Sequence, residues 1–170
     1  MASRTDEMLS KGMGKAKAVK AALKGLSGVF RTLTEQHGQA SALLHRLKGN
    51  ADRRAELWPE IRATLLAHER AEMEVVYREL HYDPRTRQMA EHHDQEAGEL
   101  ETLIRRIDML PMNDTTWENV FDELVETVQH HVSEEEGDIF PKSQDVIGRD
   151  RAQAMDVTFE DAFLAQKRMA

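Results

Sequence analysis

Two segments of this sequence carry a histidine and a glutamate four residues apart, the spacing that puts two metal-binding side chains on one face of a helix. His68 and Glu72 form the first pair, and His131 and Glu135 form the second. Each pair falls on the apolar face of its predicted helix, so an imidazole and a carboxylate must enter the core. A buried polar group without a partner costs about 2–7 kcal/mol, and a charged one costs more. The spacing therefore predicts a partner for these side chains, such as a metal ion.

The two pairs belong to a longer internal repeat. Its first copy is Leu57, Ile61, Leu65, His68, Glu72 and Val76, and its second is Val120, Leu124, Val128, His131, Glu135 and Ile139. Upstream of each copy lies another predicted helix with a histidine on its apolar face, His37 in the first half and His93 in the second. Four such helices facing one another would bring four histidines and two glutamates together.

The composition favours a helical protein with nitrogen and oxygen metal ligands. The 170 residues are 32% charged, 40% hydrophobic and only 5% aromatic, which is typical of all-α proteins. Cysteine is absent, so only histidine and carboxylate ligands remain, a set that suits iron or manganese. The net charge of −8 argues against nucleic-acid binding. Residues 1–10 have no signal-peptide pattern, and no apolar run reaches the roughly 18 residues of a membrane span, so we expect a cytoplasmic protein without an integral membrane segment.

Short predicted loops favour an all-α, antiparallel up-down-up-down four-helix bundle. We expect the bundle over residues 29–145, a basic N-terminal helical extension over residues 1–28 and an extra C-terminal helix, packed on the bundle, over residues 146–170. The basic extension predicts either a helix that packs on the bundle or an arm that docks on a membrane surface or a partner. Asp83-Pro84 predicts one helix start, and a capping box from Thr115 to Glu118 predicts another.

The histidine and glutamate pattern resembles the hemerythrin-like HHE cation-binding domain family over about residues 30–141. The resemblance is carried by His37, His68-x-x-x-Glu72, His93 and His131-x-x-x-Glu135, followed by Ile139-Phe140-Pro141. It implies a four-helix bundle that holds two Fe ions joined by an oxo or hydroxo bridge. It further implies that Glu72 and Glu135 bridge the two ions and that the four histidines cap them.

One position departs from the oxygen-carrying hemerythrins, which have a second histidine one turn after the helix C histidine. Here that position is Ala97. Glu69, His92 or Glu96 could supply the missing donor, and His92 could also take the place of His93. Two octahedral irons need about twelve donor positions. If none of the three groups binds, about two positions stay open, which favours turnover over reversible binding.

The predicted function is binding of, or reaction with, O2, peroxide or nitric oxide at an iron pair that carries the redox change. The alternatives are a module that stores or senses iron or oxygen without turnover, and a polar core that is only structural. No organic substrate pocket is recognisable, and the oligomeric state stays open. Three acidic residues near the second motif are interpreted as a solvated face: Glu134, Glu136 and Asp138.

Overall fold

All regular secondary structure in the described part of the chain is helical. The computed structural model describes residues 4–170, except for the side chains of residues 4–7, 9, 10 and 23. The helices are α1 (Arg4–Leu23), α2 (Val29–Lys48), α3 (Arg54–Glu72), α4 (Arg78–Leu80), α5 (Arg87–Asp108), α6 (Thr115–Glu134), α7 (Phe140–Ile147) and α8 (Arg149–Met169). Within residues 4–170 there is no β-strand. The prediction of an all-α fold is therefore confirmed.

Four helices contribute to a first hydrophobic cluster. α2, α3, α5 and α6 each bury apolar residues in it, among them Leu44, Ile61, Leu103 and Leu124. Trp58 meets Trp117 edge to face in the same cluster, with ring centroids 5.8 Å apart. Apolar residues at steps of three and four turn one face of each helix toward this shared core.

A second hydrophobic cluster lies on the other side of the buried polar residues along each helix. It includes Phe30, Val76, Ala90, Phe140 and Phe159. Along α3 and the turn that follows it, Leu65 belongs to the first cluster and Val76 to the second, with His68 and Glu72 between them. The same order recurs along α6. The buried histidines and glutamates therefore form a polar layer between two apolar regions.

A π turn accompanies the glutamate of each His-x-x-x-Glu motif. The turn Met73–Tyr77 follows Glu72 directly, and the turn Glu135–Ile139 begins at the second glutamate. Such turns insert an extra residue into a helix and occur often at functional sites. Within the first turn, both Val76 and Tyr77 are buried. The sequence predicts continuous helix here, because apolar spacing does not reveal one inserted residue.

Two helix starts differ from the sequence prediction. α5 begins at Arg87 rather than at Asp83-Pro84. The Asp83 carboxylate accepts hydrogen bonds from the backbone and side chain of Arg85, but residues 84–86 form a turn ahead of the helix. α6 is capped by Asp114, whose side chain accepts a hydrogen bond from the Thr116 N–H. The capping box predicted at Thr115 is therefore wrong by one residue.

The terminal helices pack on the central ones. α1 crosses α2 so closely that a β-carbon on Gly38 would lie 2.8 Å from Gly14 Cα, and α8 packs on α3 and α2. Residues 1–3 of the basic N-terminal segment lie outside the described part. No helix in the described part is long and apolar enough to cross a membrane.

Candidate metal centre

Seven ionisable side chains are buried in the polar layer, and they come from α2, α3, α5, α6 and the π turn after α6. They are Glu72, His93 and Glu135, each 0% exposed, His37 at 2%, His131 at 3%, Glu69 at 5% and His68 at 7%. Six were predicted from the apolar register, and the seventh, Glu69, was one of three residues proposed to supply a missing donor. Because a buried carboxylate needs a compensating charge, three of them in one layer call for a cation or for protons.

One side of the layer is formed by His93 and His131. Nε2 of His93 lies 3.1 Å from Glu69 Oε1 and 3.4 Å from Glu135 Oε1. Nε2 of His131 lies 3.6 Å from Glu69 Oε2 and 3.5 Å from Glu135 Oε2. Both oxygens of Glu69 thus face these two histidines.

The other side is formed by His37 and His68. Nε2 of His37 lies 3.2 Å from Glu135 Oε2, and Nε2 of His68 lies 3.4 Å from Glu72 Oε2. Donor atoms of His37, His68 and Glu72 lie within 4.8 Å of one another, and so do those of Glu72, His93 and Glu135. Glu72 and Glu135 therefore reach both sides of the layer, whereas Glu69 reaches only one.

Most inward-pointing atoms of this layer have no hydrogen-bond partner in the described part of the chain. They are Nε2 of His37, His68, His93 and His131, Oε1 of Glu69, both carboxylate oxygens of Glu72, and Oε2 of Glu135. Nitrogens and oxygens face each other at 3.1–3.6 Å without hydrogen-bond alignment. Adjacent donors on an octahedral ion with bonds of about 2.1 Å lie about 3.0 Å apart. The spacing and the absent partners both fit bound cations.

The outer nitrogens of three histidines have polar partners. Nδ1 of His37 lies 3.0 Å from a Glu136 oxygen, Nδ1 of His68 lies 2.9 Å from Gln36 Oε1, and Nδ1 of His131 lies 3.0 Å from a Glu96 oxygen. All three partner atoms only accept hydrogen bonds, so each Nδ1 carries the proton. The Nε2 lone pair can then face the centre of the layer, as in metal-binding histidines.

His93 is held differently from the other histidines. Its ring stacks on Tyr77, with centroids 3.4 Å apart, and its Nδ1 has no hydrogen-bond partner in the described part of the chain. The Tyr77 hydroxyl donates a 2.8 Å hydrogen bond to Glu135 Oε1. Tyr77 therefore orients both an imidazole and a carboxylate, by stacking on one and donating to the other.

Protons compensate part of the buried charge in the protein alone. Burial raises the pKa of Glu72 well above its usual value, and the nearby Glu135 and Glu69 carboxylates raise it further. Burial alone would lower the pKa of His131, but the carboxylates of Glu135 and Glu96 outweigh it and raise that pKa to about 10. These protons occupy the place that a metal cation would take.

The pKa values of His93 and His68 shift in opposite directions. Burial opposes the charged form of His93, but the nearby Glu135 and Glu69 carboxylates outweigh it and raise its pKa to about 9. Burial, followed by the charge of His37, lowers the pKa of His68 to about 3. His68 is therefore neutral at pH 7 and ready to bind a cation, whereas His93 must first lose a proton.

Of the three residues proposed to supply an additional metal ligand, only Glu69 is in the polar layer. Glu96 lies just outside it and meets His131 only through the outer nitrogen. The side chain of His92 is 54% exposed and faces away from the layer, whereas His93 is fully buried.

Sequence reasoning missed two partners of the histidines, Gln36 and Glu136. The interpretation of Glu136 as part of a solvated face is wrong, because its carboxylate contacts His37 and accepts a 2.8 Å hydrogen bond from Lys17 of α1. Both missed residues adjoin a residue of the layer in sequence. Polar residues at such positions are also common on solvated helix faces, so the sequence alone carried no distinguishing signal.

A small cavity of about 30 Å³ adjoins the layer. His37, His68, Glu69 and His131 form one wall. Apart from Glu101, the other lining residues are apolar: Ala40, Leu65, Leu66, Leu100, Ile104, Val128 and Val132. Because one water molecule needs about 10–15 Å³, the cavity has room for about two molecules of that size.

Comparison with known proteins identifies the family through one match. No curated protein and no solved structure matches this chain. The sequence model of the hemerythrin HHE cation-binding domain matches residues 28–143. That stretch is more than half of the chain and contains both His-x-x-x-Glu motifs and all seven ionisable residues of the polar layer. The chain therefore belongs to the hemerythrin HHE cation-binding domain family, as its sequence pattern predicted.

Proposed function

We propose that the polar layer holds two iron ions as a non-haem di-iron centre of the hemerythrin type. The observation that carries the proposal is the convergence of buried donor atoms without hydrogen-bond partners in a chain of a cation-binding family. The proposed ligands are His37 and His68 at one ion, His93, His131 and Glu69 at the other, and Glu72 and Glu135 at both.

The chemistry of the donors favours iron, or manganese where iron is scarce. Four imidazoles and three carboxylates form a nitrogen and oxygen set without thiolates, which suits these ions. Two divalent ions would also offset the charge of three buried carboxylates, which the protein alone offsets with protons. When bound, an iron pair supplies the redox change and a position for a small ligand.

The proposed scaffold is an antiparallel up-down-up-down bundle of α2, α3, α5 and α6, spanning residues 29–145. The shared hydrophobic cluster and the short connections between these helices support it. Residues 1–28 and 146–170 would then lie outside the bundle, with α1 and α8 packed against it.

The residues around the proposed ligands fix their orientation. Glu136, Gln36 and Glu96 each accept a hydrogen bond from the outer nitrogen of one histidine, and Tyr77 donates to Glu135. Loss of such a partner typically costs 10- to 100-fold in metal affinity, about 1.4–2.8 kcal/mol. These residues therefore support the centre without contacting the ions.

The cavity favours a small uncharged ligand, O2 or nitric oxide, over peroxide. Its walls beyond the polar layer are almost wholly apolar, and such cavities offer no hydrogen-bond partners to a molecule that needs them. Glu69 adds a donor where the sequence left about two positions open. One fewer open position favours reversible binding or sensing over turnover.

Metal analysis and absorption spectra of protein purified in air test this proposal. We expect two irons per chain, near-ultraviolet charge-transfer absorption, and a spectral change when nitric oxide is added to the reduced protein. A stoichiometry of one ion or none would contradict the di-iron centre. Sustained peroxide or O2 consumption by the iron-loaded protein would instead favour an enzyme over a reversible binding protein.

A further inference from the structure

Two further His-x-x-x-Glu motifs begin one residue before the buried histidines of α5 and α6, His93 and His131. His92 and Glu96 form this pair on α5, and His130 and Glu134 form it on α6. Residues four apart share a helix face, and a shift of one residue turns that face by about 100°. The shifted motifs therefore lie at the outer edge of the polar layer, where His92 and His130 are exposed, Glu134 is half-buried and Glu96 is buried.

The two shifted motifs meet between the helices. His92 Nε2 lies 3.4 Å from Glu134 Oε2 of α6 and 3.7 Å from Glu96 Oε1 of its own helix. His130 Nε2 lies 3.7 Å from the other oxygen of Glu134. Donor atoms of His92, Glu96 and Glu134 all lie within 4.8 Å of one another. We call these four residues the surface cluster.

The carboxylates of the surface cluster pair with histidines rather than with lysine or arginine. In the described part of the chain, Glu96 and Glu134 form ion pairs only with histidines. The arrangement is therefore more than a run of solvated acidic residues, since the His92 imidazole lies between a carboxylate of its own helix and a carboxylate of α6.

We propose that the surface cluster binds a divalent transition-metal ion, and that Glu96 couples this ion to the buried centre. The imidazole of His92 and the carboxylates of Glu96 and Glu134 match the preference of Zn²⁺ for nitrogen and oxygen donors, and His130 lies beside Glu134. Facing helices with residues at this spacing are a common way to build metal sites in helical proteins.

The two oxygens of Glu96 face different neighbours. Oε1 lies on the side of His92, and Oε2 lies 3.0 Å from Nδ1 of the buried His131. A cation on the surface cluster withdraws charge from the carboxylate that orients His131. The site for Zn²⁺ stands independently of the buried ions, whereas the coupling rests on the proposed iron centre.

The test is a titration of the iron-loaded protein with Zn²⁺, followed by separate measurement of zinc and iron per chain. We expect one bound zinc, with iron unchanged, and a small shift of the iron charge-transfer bands. His92→Ala and Glu134→Gln should each weaken zinc binding about tenfold or more, because each removes a donor. His45→Ala removes an exposed histidine of α2 and serves as the matched control.

Three results would overturn the inference. Equal zinc affinity in His92→Ala and wild type would remove the surface cluster as the site. Release of iron in step with zinc uptake would mean that zinc enters the buried layer instead. Zinc binding without any change in the iron bands would refute the coupling through Glu96. A protein without iron would show as missing iron in the same measurement, so failure of the proposed centre is distinguished from failure of the surface site.

Discussion

Replacement of Glu135 by glutamine tests the proposed centre at a carboxylate that faces histidines on both sides of the polar layer. Glu135 is fully buried, with Oε1 3.4 Å from His93 Nε2 and Oε2 3.2 Å from His37 Nε2. Glutamine keeps the shape but offers one oxygen instead of two, and no charge. Glu135→Gln therefore removes one donor and one negative charge from between the two proposed ions.

The expected loss of affinity follows from the donor count. A structural zinc site with four ligands has an apparent binding free energy of about 10–16 kcal/mol, or about 2.5–4 kcal/mol per donor. At about 1.4 kcal/mol per factor of ten, loss of one donor weakens metal binding about a hundredfold to a thousandfold. The lost charge acts in the same direction. Glu126→Gln removes the same charge from the exposed face of α6 and should change the affinity by less than about threefold.

The assay is anaerobic competition for Fe²⁺ against a chelator of known affinity. Circular dichroism of each metal-free variant checks that the helices persist, so that weak binding is not mistaken for unfolding. Equal iron affinities of the Glu135→Gln and Glu126→Gln proteins, with both folded, would refute the assignment of Glu135 as a shared ligand.

Three further predictions follow from the same layer. Metal removal should lower the melting temperature by at least about 10 °C. Two ions at 100–1,000 times their Kd add about 5–8 kcal/mol to the free energy of unfolding, and each kcal/mol shifts Tm by about 2–4 °C. Superimposable melting curves of the apo and holo proteins would contradict a buried site. Val128→Leu adds one methylene beside the cavity and should weaken nitric oxide binding while two irons remain bound; an unchanged nitric oxide affinity would mean that the ligand does not use this cavity. The raised pKa values of His93, about 9, and His131, about 10, mean that both histidines are protonated at pH 7. Metal loading should therefore release at least two protons per chain, and metal affinity should rise with pH. Calorimetry in buffers of different ionisation enthalpy measures this release, and a binding heat that does not depend on the buffer would count against it.

The histidines of the polar layer were predictable because each lies in register with apolar residues. His68 follows Leu65 by three residues and precedes Val76 by eight, and the second copy repeats that spacing. A repeated pattern is informative because two copies in the same register are hard to explain as chance. The helical fold followed from the same periodicity.

Glu69 could not be assigned from periodicity, because it follows His68 directly and points about 100° away around α3. On a helix with one buried face, that direction leads toward solvent. Glu69 is nevertheless buried, at 5% exposure, because its carboxylate faces His93 of α5 and His131 of α6. Long-range packing of this kind leaves no trace in the spacing of α3 itself.

The role of Glu136 was hidden for a similar reason. It stands among acidic residues that resemble a solvated face, and Asp138 of that group is indeed exposed. α1 contributes Lys17, whose side chain donates to the Glu136 carboxylate that also meets His37. The partner lies 119 residues away, and no local rule predicts such a pairing.

The most direct test of the central claim is a crystal structure of the iron-loaded protein with anomalous diffraction measured at the iron edge. We expect two anomalous peaks in the polar layer, one beside His37 and His68 and one beside His93 and His131, with Glu72 and Glu135 contacting both. A single peak, or iron found only at the surface cluster, would contradict a buried di-iron centre.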